Sequence, residues 1–293
     1  MTQTDYTVLG PGDDAAVISA PDRRVVASTD LLIEGRHFRR DWSTGEDVGH
    51  KAGARALADI AAMGAVPTAL LVGFGTPPDL DVSWVDGLMA GLREECGGVG
   101  AAIVGGDITA ADQITLAVTA LGDLQGRAPV TLAGARPGDV VVVAGRIGWA
   151  AAGFAVLGRG FRSPVQVVSA HRRPEPPYDA GPLGADLGAT AMTDVSDGLI
   201  ADLGHIATAS GVRIDLKAEL IDVPTKLREV GAALNVDPLV WVLTGGDDYA
   251  LAMTFPPGTD LPEEWQVVGT VAEGDGVRVD GRRWHVGGHE HFR

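Results

Sequence analysis

The chain has 293 residues, a formal net charge of −16, 45% hydrophobic and 21% charged residues, and one cysteine, Cys96. Such a length predicts one large domain or two ordinary ones with a packed core, and the acidic balance argues against a nucleic-acid or anionic-membrane partner. The lone cysteine excludes an internal disulfide and a cysteine-rich zinc site and fits a reducing cytosol.

In chain order, MTQTDYTVLG has neither the basic nor the apolar region of a signal peptide. No apolar run approaches the roughly 20 residues of a membrane helix; IAAMGAVPTALLVGFG (60–75) is broken by Pro67 and glycines. Strands are predicted at 15–19, 25–29, 68–74, 101–106 and 114–122, with helices at 46–64 and 81–98. The loop-rich GRAPVTLAGARPGD (126–139) marks a boundary, dividing the chain into domains 1–128 and 129–293. Beyond it a strand at 140–145, a helix at 147–158 and a short helix near 163–171 lead to a Pro-rich surface connection, 172–182. A strand at 189–194, a helix at 198–211, a strand at 212–216, a helical stretch over 225–243 and strands at 249–255, 266–272 and 276–280 complete the pattern. Strands and helices alternate irregularly, which predicts two α/β domains.

The acids gather in short Gly-flanked turns. GDD (12–14) and GGDD (245–248) precede strands, STD (28–30) and GGD (105–107) are expected to end them, and TDVSDG (193–198) leads from strand to helix. Asp59 lies near the C-terminal end of its helix among apolar neighbours. Singly each has a bland reading: Asp197 as a helix N-cap, Asp59 paired with Arg55 one turn earlier, the GGD turns as relief of backbone crowding. Together they point elsewhere. An unpaired carboxylate at the negative end of a helix dipole is disfavoured. Carboxylates with the hydroxyls of Ser28, Thr29 and Ser196 make the hard-oxygen ligand set of Mg²⁺. Glycines let backbone N–H groups approach phosphates. Asp194 is expected to face a polymetal cluster, and Ser196 and Asp197 to serve a phosphate or a further metal. GxxxxGK[ST] and the kinase HRD and DFG signatures are missing, so nucleotide chemistry here would rest on metals held by Asp turns.

These motifs, with LADIAAMGA (57–65), STDLLIEGRHF (28–38), GARPGD (134–139), GGDDYAL (245–251) and the closing HF (291–292), resemble the thiamine-monophosphate kinase family of the AIR-synthetase-like (PurM-like) superfamily along almost the whole chain. The resemblance implies an α/β (α+β) fold with an N-terminal mixed-sheet dimerisation domain and a C-terminal α/β domain. It implies a cytoplasmic homodimer that uses ATP to convert thiamine monophosphate to thiamine diphosphate with several Mg²⁺ ions, K⁺ being a further candidate ion. By the resemblance, Asp13, Asp14, Ser28, Thr29, Asp30, Asp59, Asp107, Asp194 and Asp197 are metal ligands; Gly106, Asp107 and Ser196 contact ATP; His37, Asp247 and His289 contact the substrate. Four departures stand out: Asp247 replaces the usual Glu, His289 stands where an aromatic ring packs on thiamine, Leu132 takes the place of an ATP-contacting Arg, with Arg127 or Arg136 as replacements, and the N-terminal helix is nearly absent. A phosphate-monoester acceptor is already ionised near neutrality, its second pKa being about 6, so no general base is expected and transfer is direct and in line. The rivals are AIR synthetase and a non-catalytic metal or nucleotide sensor on the same fold.

Overall fold

The computed structural model describes residues 4–12 and 14–284; Asp13, His289 and the closing HF lie outside the described residues. The chain divides into two compact units, Met1–Ala61 with Ala65–Arg127, and Ala62–Gly64 with Ala128–Arg293.

In the first unit a two-stranded ribbon, β1 (Thr7–Leu9) and β2 (Val17–Ile18), accompanies a four-stranded sheet of β3 (Val26–Ile33), β4 (Val66–Thr76), β5 (Ala102–Ala110) and β6 (Thr115–Asp123). The sheet order is β3-β6-β4-β5; only β4 and β5 are parallel, so the sheet is mixed, as the resemblance implied. Residues alternate between its faces. Leu116, Val118 and Ala120 of β6 are buried, while Thr115, Ala117 and Thr119, which alternate with them, are only half-buried.

Two helices build this unit's core. The alanine-rich α1 (Gly45–Ala62) starts at a reciprocal cap: Thr44 N donates to Asp47 Oδ2 at 3.0 Å and Asp47 N to Thr44 Oγ1 at 3.2 Å. At α2 (Val82–Gly98), Asp81 Oδ1 accepts from Ser83 N at 2.7 Å. The helices run parallel in backbone contact. A Cβ added at Gly45 or Gly49 would lie 2.1 Å from Trp84 O or 2.2 Å from Leu88 O, and one at Gly91 would lie 2.1 Å from Glu46 O. Only glycine permits that approach.

The second unit carries a seven-stranded sheet, ordered β13-β12-β9-β11-β7-β10-β8. Its strands are β7 (Val140–Ala144), β8 (Ala191–Val195), β9 (Arg213–Leu216), β10 (Ala250–Phe255), β11 (Gln266–Ala272), β12 (Gly276–Val279) and β13 (Arg282–Arg283). Pairing is antiparallel except between β9 and β12. The helices are α3 (Trp149–Gly158), α4 (Val165–Arg172), α5 (Ala180–Asp186), α6 (Leu199–Ser210), α7 (Thr225–Leu234) and α8 (Pro238–Thr244), with a 3₁₀ turn at Ala218–Leu220. Val142, Met192, Leu251, Met253, Phe255 and Trp265 form part of its core.

Three expectations are corrected. The helical stretch expected over 225–243 is broken into two helices, because Asn235 turns left-handed (φ 53°) at the C-cap of α7 and Asp237-Pro238 opens α8. The Pro-rich connection ends in α5, which was not expected. STD and GGD do not end strands but lie inside β3 and β5, which run on to Ile33 and Ala110.

Candidate active site

The first unit gathers one acidic cluster at β3 and the end of α1. Ser28 and Asp30 are two apart on β3 and point to the α1 side of the sheet. Ser28 Oγ donates a short hydrogen bond to Asp59 Oδ2, and Arg55 Nη2 donates to Asp30 Oδ1 at 3.2 Å. Burial pushes the Asp59 carboxyl up to about 6, helped by the negative Asp30 and opposed by the Ser28 hydroxyl and Arg55. Sequence spacing offers Arg55 as a partner for Asp59; in the structure its guanidinium also reaches Asp30 on β3, and its charge acts on Asp59. Two desolvated carboxylates and a hydroxyl supply hard oxygen ligands whose mutual repulsion a divalent cation relieves, so these residues fit Mg²⁺.

Thr29, between Ser28 and Asp30, points the other way. Its hydroxyl lies 3.0 Å from that of Thr119 on the neighbouring strand, and its side chain does not join the cluster. Asp107 is also apart. The pairings Asp30↔Val118, Val118↔Val72 and Val72↔Gly106 run across the sheet, so β5 lies three strands from β3, roughly 14 Å at ordinary strand spacing. Gly106, Asp107 and Asp14 instead line a second feature, a cavity of about 940 Å³. Arg93 joins them, and Val72, Phe74, Val85, Leu88 and Met89 give it an apolar wall. A volume and lining of this kind suit a nucleotide-sized ligand. Gly106 has φ +159°, and a Cβ there would meet Val72 O at 2.1 Å.

His37 is half-buried, and its Nδ1 accepts from Ile33 N at 3.0 Å, closing the turn after β3.

The second unit brings the TDVSDG (193–198) and GGDD (245–248) turns together. Asp194 pairs with Leu251 across β8 and β10. Asp247 N donates to Ser196 O at 2.9 Å and Tyr249 N to Val195 O at 3.0 Å. A Cβ at Gly246 would lie 2.1 Å from Ser196 O. Asp247 itself is left-handed (φ 64°), and its Oδ1 accepts from the Tyr249 hydroxyl at 2.8 Å. Asp194, Ser196, Asp197 and Asp247 therefore share one corner of this unit.

Asp197 is not the helix N-cap. Gly198 occupies that position, and the carboxylate of Asp202, one turn into α6, accepts from the N–H groups of Asp197 and Gly198, both at 3.0 Å. Burial and the nearby Asp197 push Asp202 up to about 7, against the hydrogen bonds it accepts. Asp248 does similar work over a longer distance. It accepts from Gly148 N at 2.5 Å and Ala150 N at 2.8 Å, tying the GRIGW loop at the start of α3 to the GGDD turn, and burial pushes it up to about 7. Sequence reasoning missed Asp202 and Asp248, and it offered Arg55 only as a partner for Asp59, one helical turn away, without its contact to Asp30. Leu132, at the position of the expected Arg, is exposed, and its carbonyl accepts from Ser210 Oγ at 2.9 Å.

Residues 12–124 match the family model of the AIR synthase related protein N-terminal domain, and residues 136–282 match that of its C-terminal domain. The chain is 49% identical over 284 residues to the thiamine-monophosphate kinase of Mycobacterium tuberculosis, covering 96% of this chain and 85% of that protein. The solved structure "AaThiL complexed with AMPPCP and TMP" is similar with a TM-score of 0.88 at 33% identity, covering 96% of this chain and 91% of that one. The thiamine-monophosphate kinase structure from Stenotrophomonas maltophilia gives a TM-score of 0.84 at 31% identity, covering 95% and 92%. With matched domains over both halves and kinase relatives along nearly its whole length, the chain belongs to the AIR synthase related protein family, among its thiamine-monophosphate kinases.

Proposed function

We propose that this chain transfers the γ-phosphoryl group of ATP to thiamine monophosphate, forming thiamine diphosphate by direct in-line transfer. The observation that carries the reading is the convergence of Asp30 and Asp59 from a strand and a helix, with Asp59 raised to about 6 by burial and by Asp30. Mg²⁺, when bound, supplies the positive charge that lets an anionic acceptor approach the polyphosphate. Ser28 orients the Asp59 carboxylate, and Arg55 holds Asp30 in place. Within the first unit Asp14 and Asp107 offer further oxygen ligands beside the nucleotide cavity, with Asp13 and Thr29 as additional candidates, and within the second unit Asp194 and Asp197 are candidates of the same kind. Gly106 brings its backbone to the ATP phosphates in the cavity that it lines with Asp107, and Ser196 is the ATP-contacting candidate of the second unit. His37, Asp247 and His289 hold the substrate. No side chain acts as general base, because the acceptor phosphate of thiamine monophosphate is already ionised near neutrality. Orientation and charge neutralisation supply the acceleration.

The working form is a cytoplasmic homodimer joined through the first units, whose sheet has Leu31 on one edge strand and Ile108 on the other, both exposed. The single buried Cys96 and the absence, among the described residues, of a helix long and apolar enough to cross a membrane accord with that placement.

ADP release by the full chain, measured with and without thiamine monophosphate, tests the reading. The expected result is acceptor-dependent release, lost by at least about 100-fold in Asp30→Asn while its circular dichroism stays that of the parent. A near-normal kcat in Asp30→Asn at saturating Mg²⁺ overturns the metal assignment. Nucleotide binding without acceptor-dependent turnover would favour a non-catalytic sensor instead.

A further inference from the structure

Away from Asp59, at the opposite end of α1, three ligand-bearing side chains converge on the neighbouring helix. Glu46 and His50 stand one turn apart on α1, and Glu94 faces them from the last turns of α2. A carboxylate oxygen of each glutamate and a ring nitrogen of His50 all lie within 4.8 Å of one another. His50 is 8% exposed. Its Nδ1 lies 2.9 Å from Oε2 of Glu95, whose side chain is 13% exposed, and its Nε2 lies 3.3 Å from Oε2 of Glu94, whose side chain is 70% exposed.

We infer that Glu46, His50 Nε2 and Glu94 form a binding site for a first-row divalent transition-metal ion, with Glu95 orienting the imidazole and water filling the open position. Three features carry this. The first is the pairing of His50. A histidine that ligates through one nitrogen commonly donates its other N–H to a carboxylate, which fixes tautomer and ring orientation, and the half-buried Glu95 stands in that position at Nδ1. The second is the spacing at Nε2. A separation of 3.3 Å is long for a charge-assisted hydrogen bond, which runs about 2.7–2.9 Å. It matches the roughly 3.3 Å between two ligands of one tetrahedral ion held at 2.0–2.1 Å. The third is the frame. The backbone contacts at Gly45, Gly49 and Gly91 bracket the cluster and hold α1 against α2, so the ligands sit on two locked helices and not on loops. The imidazole selects Zn²⁺ or a neighbouring transition ion over Mg²⁺, which prefers an all-oxygen set. Glu46, Glu94 and Glu95 carry three negative charges against the one positive charge of buried Lys51 when His50 is neutral, so the local balance is negative, as a divalent cation requires.

The site is distinct from the acidic cluster at Asp59: nine residues of helix, about 14 Å, separate His50 from Asp59.

Zn²⁺ uptake by the full chain in excess Mg²⁺, read by competition with a chromophoric chelator, tests the inference. His285, His289 and His291 offer other imidazoles, so the site is read as a difference between variants. Wild type should take up one more equivalent than His50→Gln. Glu94→Gln, an exposed change that leaves the packing alone, should weaken that equivalent at least about 10-fold, and Glu95→Gln by about 10–100-fold. Asp59→Asn should leave it unchanged. Co²⁺ should give visible absorption in wild type that Glu94→Gln alters. Equal Zn²⁺ uptake by wild type and His50→Gln, or an unchanged affinity in Glu94→Gln, overturns the site. If His50→Gln does not fold, Glu94→Gln and Glu95→Gln decide it alone.

Discussion

Replacing Gly49 by alanine tests whether the close approach of α1 and α2 is real and whether the active site depends on it. The substitution has an intrinsic gain: alanine is better than glycine in a helix interior by about 1 kcal/mol. Against it stands the new Cβ, which would lie 2.2 Å from Leu88 O and 2.8 Å from Leu92 N. Both are backbone atoms, so no rotamer change relieves them. Ordinary contact begins near 3.5 Å, so the helices must part by roughly 1 Å, and overpacking of this kind costs about 1–3 kcal/mol, at the upper end where backbone must move. The net expectation is a loss of about 2 kcal/mol. Because α1 also carries Arg55 and Asp59, the shift reaches the acidic cluster, where a misplacement of about 1 Å can cost about 100-fold in rate; a fall in kcat of at least about 10-fold is expected. Urea unfolding and acceptor-dependent ADP release measure the two effects. Gly97→Ala, in the last turn of the same α2 with nothing within 4 Å of its added Cβ, is the control and should be neutral or slightly stabilising. A Gly49→Ala protein as stable and as active as its parent would refute the reasoning.

Two further outcomes follow from the second unit. Asp248 is raised from 3.8 to about 7 by burial, so the folded chain holds its proton more tightly than the unfolded chain. Its contribution to stability is therefore full below about pH 4 and is lost as pH climbs through about 7; urea midpoints across pH 5–8.5 should fall less steeply in Asp248→Asn than in wild type, and an unchanged slope would count against this role. Gly246→Ala would press a methyl onto Ser196 O and drive apart the turns bearing Asp194, Ser196 and Asp247. A rise in the KM for thiamine monophosphate of at least about 10-fold is expected, and wild-type kinetics would show that these turns need not touch.

Much of this chain was readable because its signals are local. The alanine-rich period of α1 and the Asp81 cap of α2 set both helices within a residue or two of where they lie. The apolar runs of β7 and β10 announce buried central strands, and the acidic turns were visible as glycine-flanked motifs. What escaped depends on partners far along the chain. β3 runs past Asp30 because Leu31, Leu32 and Ile33 find ladder partners in Ala117, Leu116 and Thr115, and β5 runs past Asp107 because Ile108 and Thr109 pair with Phe74 and Gly75. The opposite facing of Thr29 is a consequence of strand continuity, which a strand ending at STD does not reveal. Asp248 caps a loop 98 to 100 residues away, and His50 meets Glu94 and Glu95 across 44 and 45 residues; neither spacing carries a periodic signature. The break between α7 and α8 was legible in principle, since Asn235 and Asp237-Pro238 are ordinary stop and start signals, but the apolar stretch around them masked it.

The carboxylate of Asp248 constrains how this protein can be rebuilt. One side chain fastens two segments that the gene encodes far apart, so neither the GRIGW loop nor the GGDDY turn is a free module. Transplanting either one from a relative without its mate would leave two inward-facing amides with no acceptor, or a buried carboxyl with no donor. Recombination that respects this fold must carry both segments together.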